Sequence, residues 1–157
     1  MPDDERPPTV VFVDGSEVGW LALRFAAGRA AATGAPIVCV AVTPPRLERG
    51  HAAHFDPDSD QLDAEFADEV LSRAAALCAQ LPIAATMVHR VGRPVAALAA
   101  EATARMADGL VVGRRPRLRG YSLPDLAEQL DALTGIAVHA VELPDRPLPA
   151  PARPPAP

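Results

Sequence analysis

The 157-residue chain contains no lysine and no asparagine, so all fifteen of its positively charged side chains are arginine. Without lysine there is no Walker-type phosphate lysine, no Schiff-base amine and no kinase-type phosphate lysine, because each needs a flexible primary ammonium. Aromatic residues are scarce, at one Trp, one Tyr and four Phe. Trp20 and Tyr121 make no stacking platform, which leaves single-stranded nucleic-acid binding little to stand on, and a formal net charge of −5 argues against a nucleic-acid partner of any kind. The only two cysteines, Cys39 and Cys78, each sit inside an apolar pattern. That excludes a disulfide framework or a Cys-rich zinc site and predicts buried free thiols. No apolar run approaches the roughly 18 to 20 residues of a bilayer span. Pro2, Asp3, Asp4 and Glu5 have the wrong charge for a secretory leader. The expectation is a cytoplasmic protein with no membrane partner.

What is present suits one α/β domain. Hydrophobic residues make up 49% of the chain, enough for one sizeable core. Residues 1–8 and 144–157 are polar and proline-rich and read as disordered tails flanking a domain at 9–143. The second tail holds seven prolines in fourteen residues, a composition that favours solvated polyproline II. Its P-x-x-P spacings, Pro144 to Pro147 and Pro151 to Pro154, are what such a biased composition produces by chance. Charge is unevenly placed. Residues 1–70 carry thirteen acids against five arginines, whereas 71–157 carry seven against ten, so an anion site belongs in the second half.

Between the tails, short apolar runs alternate with helical patterns. Val10–Val13 ends in Asp14-Gly15-Ser16, with Ser16 placed to cap a helix from Glu17 to about Thr33 that Gly34 terminates. In that helix Val18, Leu21, Ala22, Phe25 and Ala26 recur at helical spacing. Ile37–Val42 is unbroken apolar sequence, as in a parallel strand buried on both faces. Arg46–Asp60 reads as a polar loop. Leu62, Phe66, Val70, Ala74, Leu77 and Leu81 mark an amphipathic helix over about 61–81. Ile83–Val91 is a third strand, and Pro94 opens a helix with Val95, Leu98, Ala99, Ala102 and Met106 as its stripe and Glu101 and Arg105 paired on its wet face. Gly109–Val112 is a fourth strand, Pro124–Leu133 a short helix ended by Gly135, and Ile136–Leu143 a fifth strand. Strict β-α alternation implies a three-layer α/β fold, a five-stranded parallel sheet with helices on both faces and right-handed crossovers.

Open sheets of this kind take ligands beyond the carboxyl ends of their strands. Asp14-Gly15-Ser16, Val42-Thr43 and the loop opened by Gly113 stand at such ends. That loop carries Arg114, Arg115, Arg117 and Arg119. If the first and fourth strands are neighbours, a carboxylate and a helix start face an arginine loop across a crevice, which suits a nucleotide.

Thr9–Leu143 resembles the universal stress protein family. The resemblance is carried by VVFVDGSEVGWLALRFAAGRAAATGAPIVCVAV, by Val91-Gly92-x-Pro94, and by Ala107-Asp108-Gly109-Leu110-Val111-Val112-Gly113. It implies strand order 3-2-1-4-5 and a homodimer in which the last strands, here Ile136–Leu143, meet. In ATP-binding members the adenine lies near positions matching Asp14 and Val42. Those members hold phosphates in a loop of the form G-x-x-G-x9-G-[ST]. Here Gly113 matches the first glycine, Pro116 replaces the second, and Leu126 and Ala127 fall at the last two positions; in a shortened loop Gly120 and Ser122 stand in for these. A phosphate cradle needs backbone N–H groups, and proline has none. Losing one charge-assisted hydrogen bond costs about 1.5–3 kcal/mol, roughly ten- to more than a hundred-fold in affinity. An exposed ionic contact from arginine returns about 1 kcal/mol.

Other constellations are weaker. His51, His54, Asp56 and Asp58 share one loop with nothing to fix it, so no metal is expected. Ser16 misses the G-x-S-x-G elbow by one position, and capping already accounts for its hydroxyl. His89 and His139 are isolated and read as packing or interface residues. The leading expectation is a dimeric universal-stress-like regulatory or binding module, more a binder than an enzyme, with weakened or lost ATP binding and no required cofactor. One alternative is an adenine-nucleotide binder using Asp14, Gly15, Ser16, Val42, Gly113, Arg114, Arg115, Gly120 and Ser122, with slow hydrolysis or none. Another is an accessory protein docking on a partner through its loops or Pro-rich tail.

Overall fold

A computed structural model describes residues 6–45, 57–114 and 124–144, with only the backbone described over 57–63. Nine elements alternate: β1 (Thr9–Phe12), α1 (Glu17–Thr33), β2 (Ile37–Thr43), α2 (Pro57–Ala79), β3 (Ala85–Val91), α3 (Pro94–Ala104), β4 (Gly109–Arg114), α4 (Leu126–Thr134) and β5 (Ala137–Glu142). The five strands form one parallel sheet in the order β3-β2-β1-β4-β5, as the resemblance implies. β1 and β4 are neighbours, with Val11 opposite Val111.

Strand alternation divides the core into two layers. Val11, Ile37, Cys39, Ala41 and Val111 point to the side covered by α1 and α2. Val10, Val38, Val40, Leu110 and Val112 point to the side covered by α3 and α4. The continuous apolar run of β2 is therefore explained by burial on both faces. Cys39 and Cys78 are both buried free thiols in the α1–α2 layer, and burial pushes both thiols above the ordinary thiol range.

Several boundaries and faces differ from the sequence reading. In α1 the buried set is Val18, Ala22, Ala26 and Ala30 with Gly19, Leu23 and Ala27, while Phe25 is 41% exposed. Alanines and Gly19, with Val18 and Leu23 between them, form the face that lies against the sheet. In α2 the stripe is Ala67, Val70, Leu71, Ala74 and Cys78, and Phe66 is 55% exposed. Helix α2 already begins at Pro57, so 57–60 are not loop, and it ends at Ala79. Met106 lies beyond α3 at positive φ and is exposed. Glu101 belongs not to a wet face but to the interior, 6% exposed. Helix α4 starts at Leu126, not at Pro124, because the Asp125 carboxylate caps it by accepting from Glu128 N at 2.9 Å.

Candidate functional site

The turn leaving β1 is built by its own side chains. Asp14 Oδ1 accepts from Ser16 N at 3.0 Å and from Ser16 Oγ at 2.5 Å. Ser16 Oγ in turn accepts from Gly19 N at 3.1 Å and caps α1. The turn needs a left-handed residue, and Gly15 supplies it at φ +81°. An added Cβ at Gly15 would lie 2.9 Å from the Phe66 ring, and one at Gly19 would lie 2.4 Å from Asp14 Oδ1. Asp-Gly-Ser-x-x-Gly is thus a locally satisfied strand-to-helix junction.

Beside it, the end of β4 presses against the first turn of α1. A Cβ at Gly113 would stand 2.8 Å from Val18 Cγ1 and 2.9 Å from Val18 backbone atoms. Past this contact opens a crevice of about 330 Å³ whose walls include Phe12, Asp14, Gly113, Arg114, Asp125 and Leu126. It lies at the carboxyl ends of β1 and β4, where a parallel sheet places its ligands. Arg114 Nε donates to Asp125 Oδ2 at 2.6 Å, and Arg114 Nη1 to Glu142 Oε1 at 3.4 Å. The same Asp125 carboxylate caps the N-terminus of α4, so an internal anion occupies the end of the helix that would otherwise attract one.

Of the residues expected from sequence, Asp14, Gly113 and Arg114 line this crevice together, and Gly15 and Ser16 shape the turn that carries Asp14. Val42 packs its side chain into the α3–α4 layer instead. Arg115, Gly120 and Ser122, with Pro116, lie outside the described residues, as do His51, His54 and Asp56; Asp58 falls in α2 where only the backbone is described. Leu126 and Ala127 stand in the first turn of α4. Phe12 and Asp125 were not singled out from sequence. Asp125-x-x-Glu128 is a capping pattern that marks the α4 start, but nothing local marks the contact to Arg114 eleven residues earlier.

The two isolated histidines have partners. His89 Nε2 meets Thr43 Oγ1 at 2.9 Å, and His139 Nε2 meets Arg29 Nη1 at 2.7 Å with the Phe25 ring 5.9 Å away. Among the described residues there is no group of three or more His, Cys, Asp or Glu side chains that could hold a metal ion, and no helix long and apolar enough to cross a membrane.

A family model for the universal stress protein family matches residues 7–148. The chain belongs to the universal stress protein family. Solved structures of universal stress proteins share its fold at low identity. One in complex with cAMP is 24% identical, with a TM-score of 0.70 over 87% of this chain and 97% of that one. A family protein from Burkholderia pseudomallei is 23% identical, with a TM-score of 0.68 over 92% and 100%. One from Archaeoglobus fulgidus in complex with dAMP is 25% identical, with a TM-score of 0.61 over 87% and 98%. No curated protein matches the chain. This universal stress protein therefore keeps the family sheet, and at its crevice Arg114 is engaged by the chain's own carboxylates.

Proposed function

We propose that this universal stress protein is a binding module, acting as a homodimer through β5, whose crevice has lost its seat for a triphosphate. The observation that carries the reading is Asp125, which caps α4 and neutralises Arg114 at the crevice wall. A phosphate tail would have to displace a charge-assisted hydrogen bond worth about 1.5–3 kcal/mol before gaining its own. Proline at 116 removes one amide donor, and Leu126 and Ala127 stand where the family's ATP binders have a glycine and a hydroxyl. The cavity, at about 330 Å³, also stands at the small end of ligand pockets, which run from about 300 to 1,000 Å³.

Isothermal calorimetry with ATP, ADP and AMP tests this. The expected result is ATP binding no tighter than millimolar; micromolar ATP affinity accompanied by shifts of the Gly113 amide overturns it. The variant Asp125→Ser keeps a capping hydroxyl and leaves Arg114 with only its longer contact to Glu142, and it should strengthen AMP binding by roughly ten-fold.

A second reading, a mononucleotide binder, is supported by the cAMP and dAMP complexes of two relatives. One phosphate asks for fewer donors than three. On that reading AMP binds the unmodified protein at micromolar concentration while ATP does not.

A further inference from the structure

At the opposite end of the sheet from the crevice, the amino ends of β1, β4 and β5 and the last turn of α1 enclose a second cavity of about 280 Å³. Its polar wall is made by Arg6, Thr9, Arg29, Thr33, Asp108 and His139. Three of these side chains are bases, and a single carboxylate faces them.

The cations are differently employed. Arg6 Nη1 donates to the Thr33 carbonyl oxygen, the exposed C-terminal end of α1, and so offsets the negative end of that helix. Arg29 has no such task. Its guanidinium donates to His139 Nε2 at 2.7 Å and lies 5.9 Å from the Phe25 ring centroid, and among the described residues no carboxylate pairs with it. A guanidinium only donates, so His139 Nε2 is the acceptor and the imidazole carries its proton on Nδ1. A guanidinium and an imidazole thus converge on one wall of the cavity. Among the described residues Arg90, Arg105 and Arg114 each meet a carboxylate.

We propose that this cavity is a second ligand site, separate from the crevice, which takes a small oxyanion, the phosphate or carboxylate group of a metabolite-sized molecule, between Arg29, His139 and Arg6. Arg29 supplies a planar fork that matches either group in a bidentate way. The His139 ring adds a second polar group to the same wall. Thr9 offers a hydroxyl, and Asp108 sets a limit on charge and size by disfavouring anions that reach its side of the wall.

Titration with inorganic phosphate, and in a parallel arm with malonate, followed by 1H–15N spectra of the backbone and of the arginine and histidine side chains, tests the site. Saturable shifts are expected at Arg29 Nε, at the His139 ring nitrogens and at the Thr9, Gly109 and Ala137 amides. Asp14 and Gly113 should stay still in the same titration. Arg29→Gln should weaken binding roughly ten- to a hundred-fold, and the equally exposed Arg24→Gln on the same helix should leave it unchanged. Whichever arm saturates at lower concentration identifies the oxyanion class. Shifts centred on Gly113, equal losses from Arg24→Gln and Arg29→Gln, or no saturable shift with either anion at millimolar concentration would each overturn the proposal. The map on the unmodified protein decides the question even if a variant folds poorly.

Discussion

Gly113 and Gly28 show how one residue type serves two unrelated ends. A methyl group at 113 meets backbone as well as side-chain atoms of Val18 at under 3 Å. Neither strand nor helix can yield cheaply there, so Gly113→Ala should lower stability by about 1–3 kcal/mol. At Gly28, inside α1, the same methyl would meet nothing within 4 Å. Gly28→Ala removes only the helix penalty of glycine and should raise stability by about 0.5–1 kcal/mol. Urea unfolding midpoints of the two variants against the parent check the opposite signs. From sequence, Gly113 matched the first glycine of a phosphate loop, and its packing role was invisible because Val18 is ninety-five residues away along the chain. A glycine at this position therefore does not by itself testify to a nucleotide: the fold requires it either way.

Helix α3 and strand β3 are joined through one carboxylate. Glu101 accepts from Nε of Arg105, the residue that caps the end of α3, at 2.9 Å and from Arg90 Nε on β3. Burial pushes its carboxyl up, but the hydrogen bonds from Arg105 and Arg90 and their charges outweigh burial, so it is held below the ordinary carboxylate value. A lowered folded-state value means that this stabilisation is complete above the unfolded value of 4.5 and is lost as pH falls through the folded-state value. Glu101→Gln should cost about 1–3 kcal/mol at neutral pH, less than a fully enclosed pair because Arg90 and Arg105 both reach solvent. As pH falls below 4.5 toward the folded-state value the parent and variant should converge, and denaturant midpoints measured from pH 7 downward follow the convergence. The i,i+4 spacing of Glu101 and Arg105 was legible in the sequence. The third partner was not, since only the tertiary fold brings Arg90 of β3 within reach of α3. The same limit hid the buried faces of α1 and α2: periodicity marks the helices, but the large residues Phe25 and Phe66 drew the stripe toward solvent, whereas alanines with Val18 and Leu23 in α1 and with Val70, Leu71 and Cys78 in α2 make the actual contact.

Over the whole molecule, strand sequence, alternation and turn chemistry carried the architecture, because each level pointed the same way: unbroken apolar runs for strands buried on both faces, Ser16 and Gly34 as helix limits, Pro94 at a first helical turn. The two ends of the sheet were less legible, since what a crevice can hold depends on contacts such as Arg114 to Asp125 that no local pattern records. The sheet edges pose a further question of that kind. An edge strand leaves backbone donors and acceptors open and is usually protected by charge. At the β3 edge Arg90 is tied to Glu101 and projects into solvent. The β5 edge offers Ala137, Val138, Ala140 and Val141 with His139 and Glu142 as its only polar members. Exposed Phe25 touches His139 from α1, and exposed Leu133 ends the helix that covers the other face of β5. An apolar, half-buried edge of this kind suits pairing with a second copy of itself. Sedimentation equilibrium should therefore return twice the chain mass of 16.4 kDa at micromolar protein, with amide exchange in β5 slowing as concentration rises. A single-chain mass throughout the concentration series, with β5 amides exchanging at a constant rate, would leave the edge open and remove the dimer from the proposed function without touching the reading of either cavity.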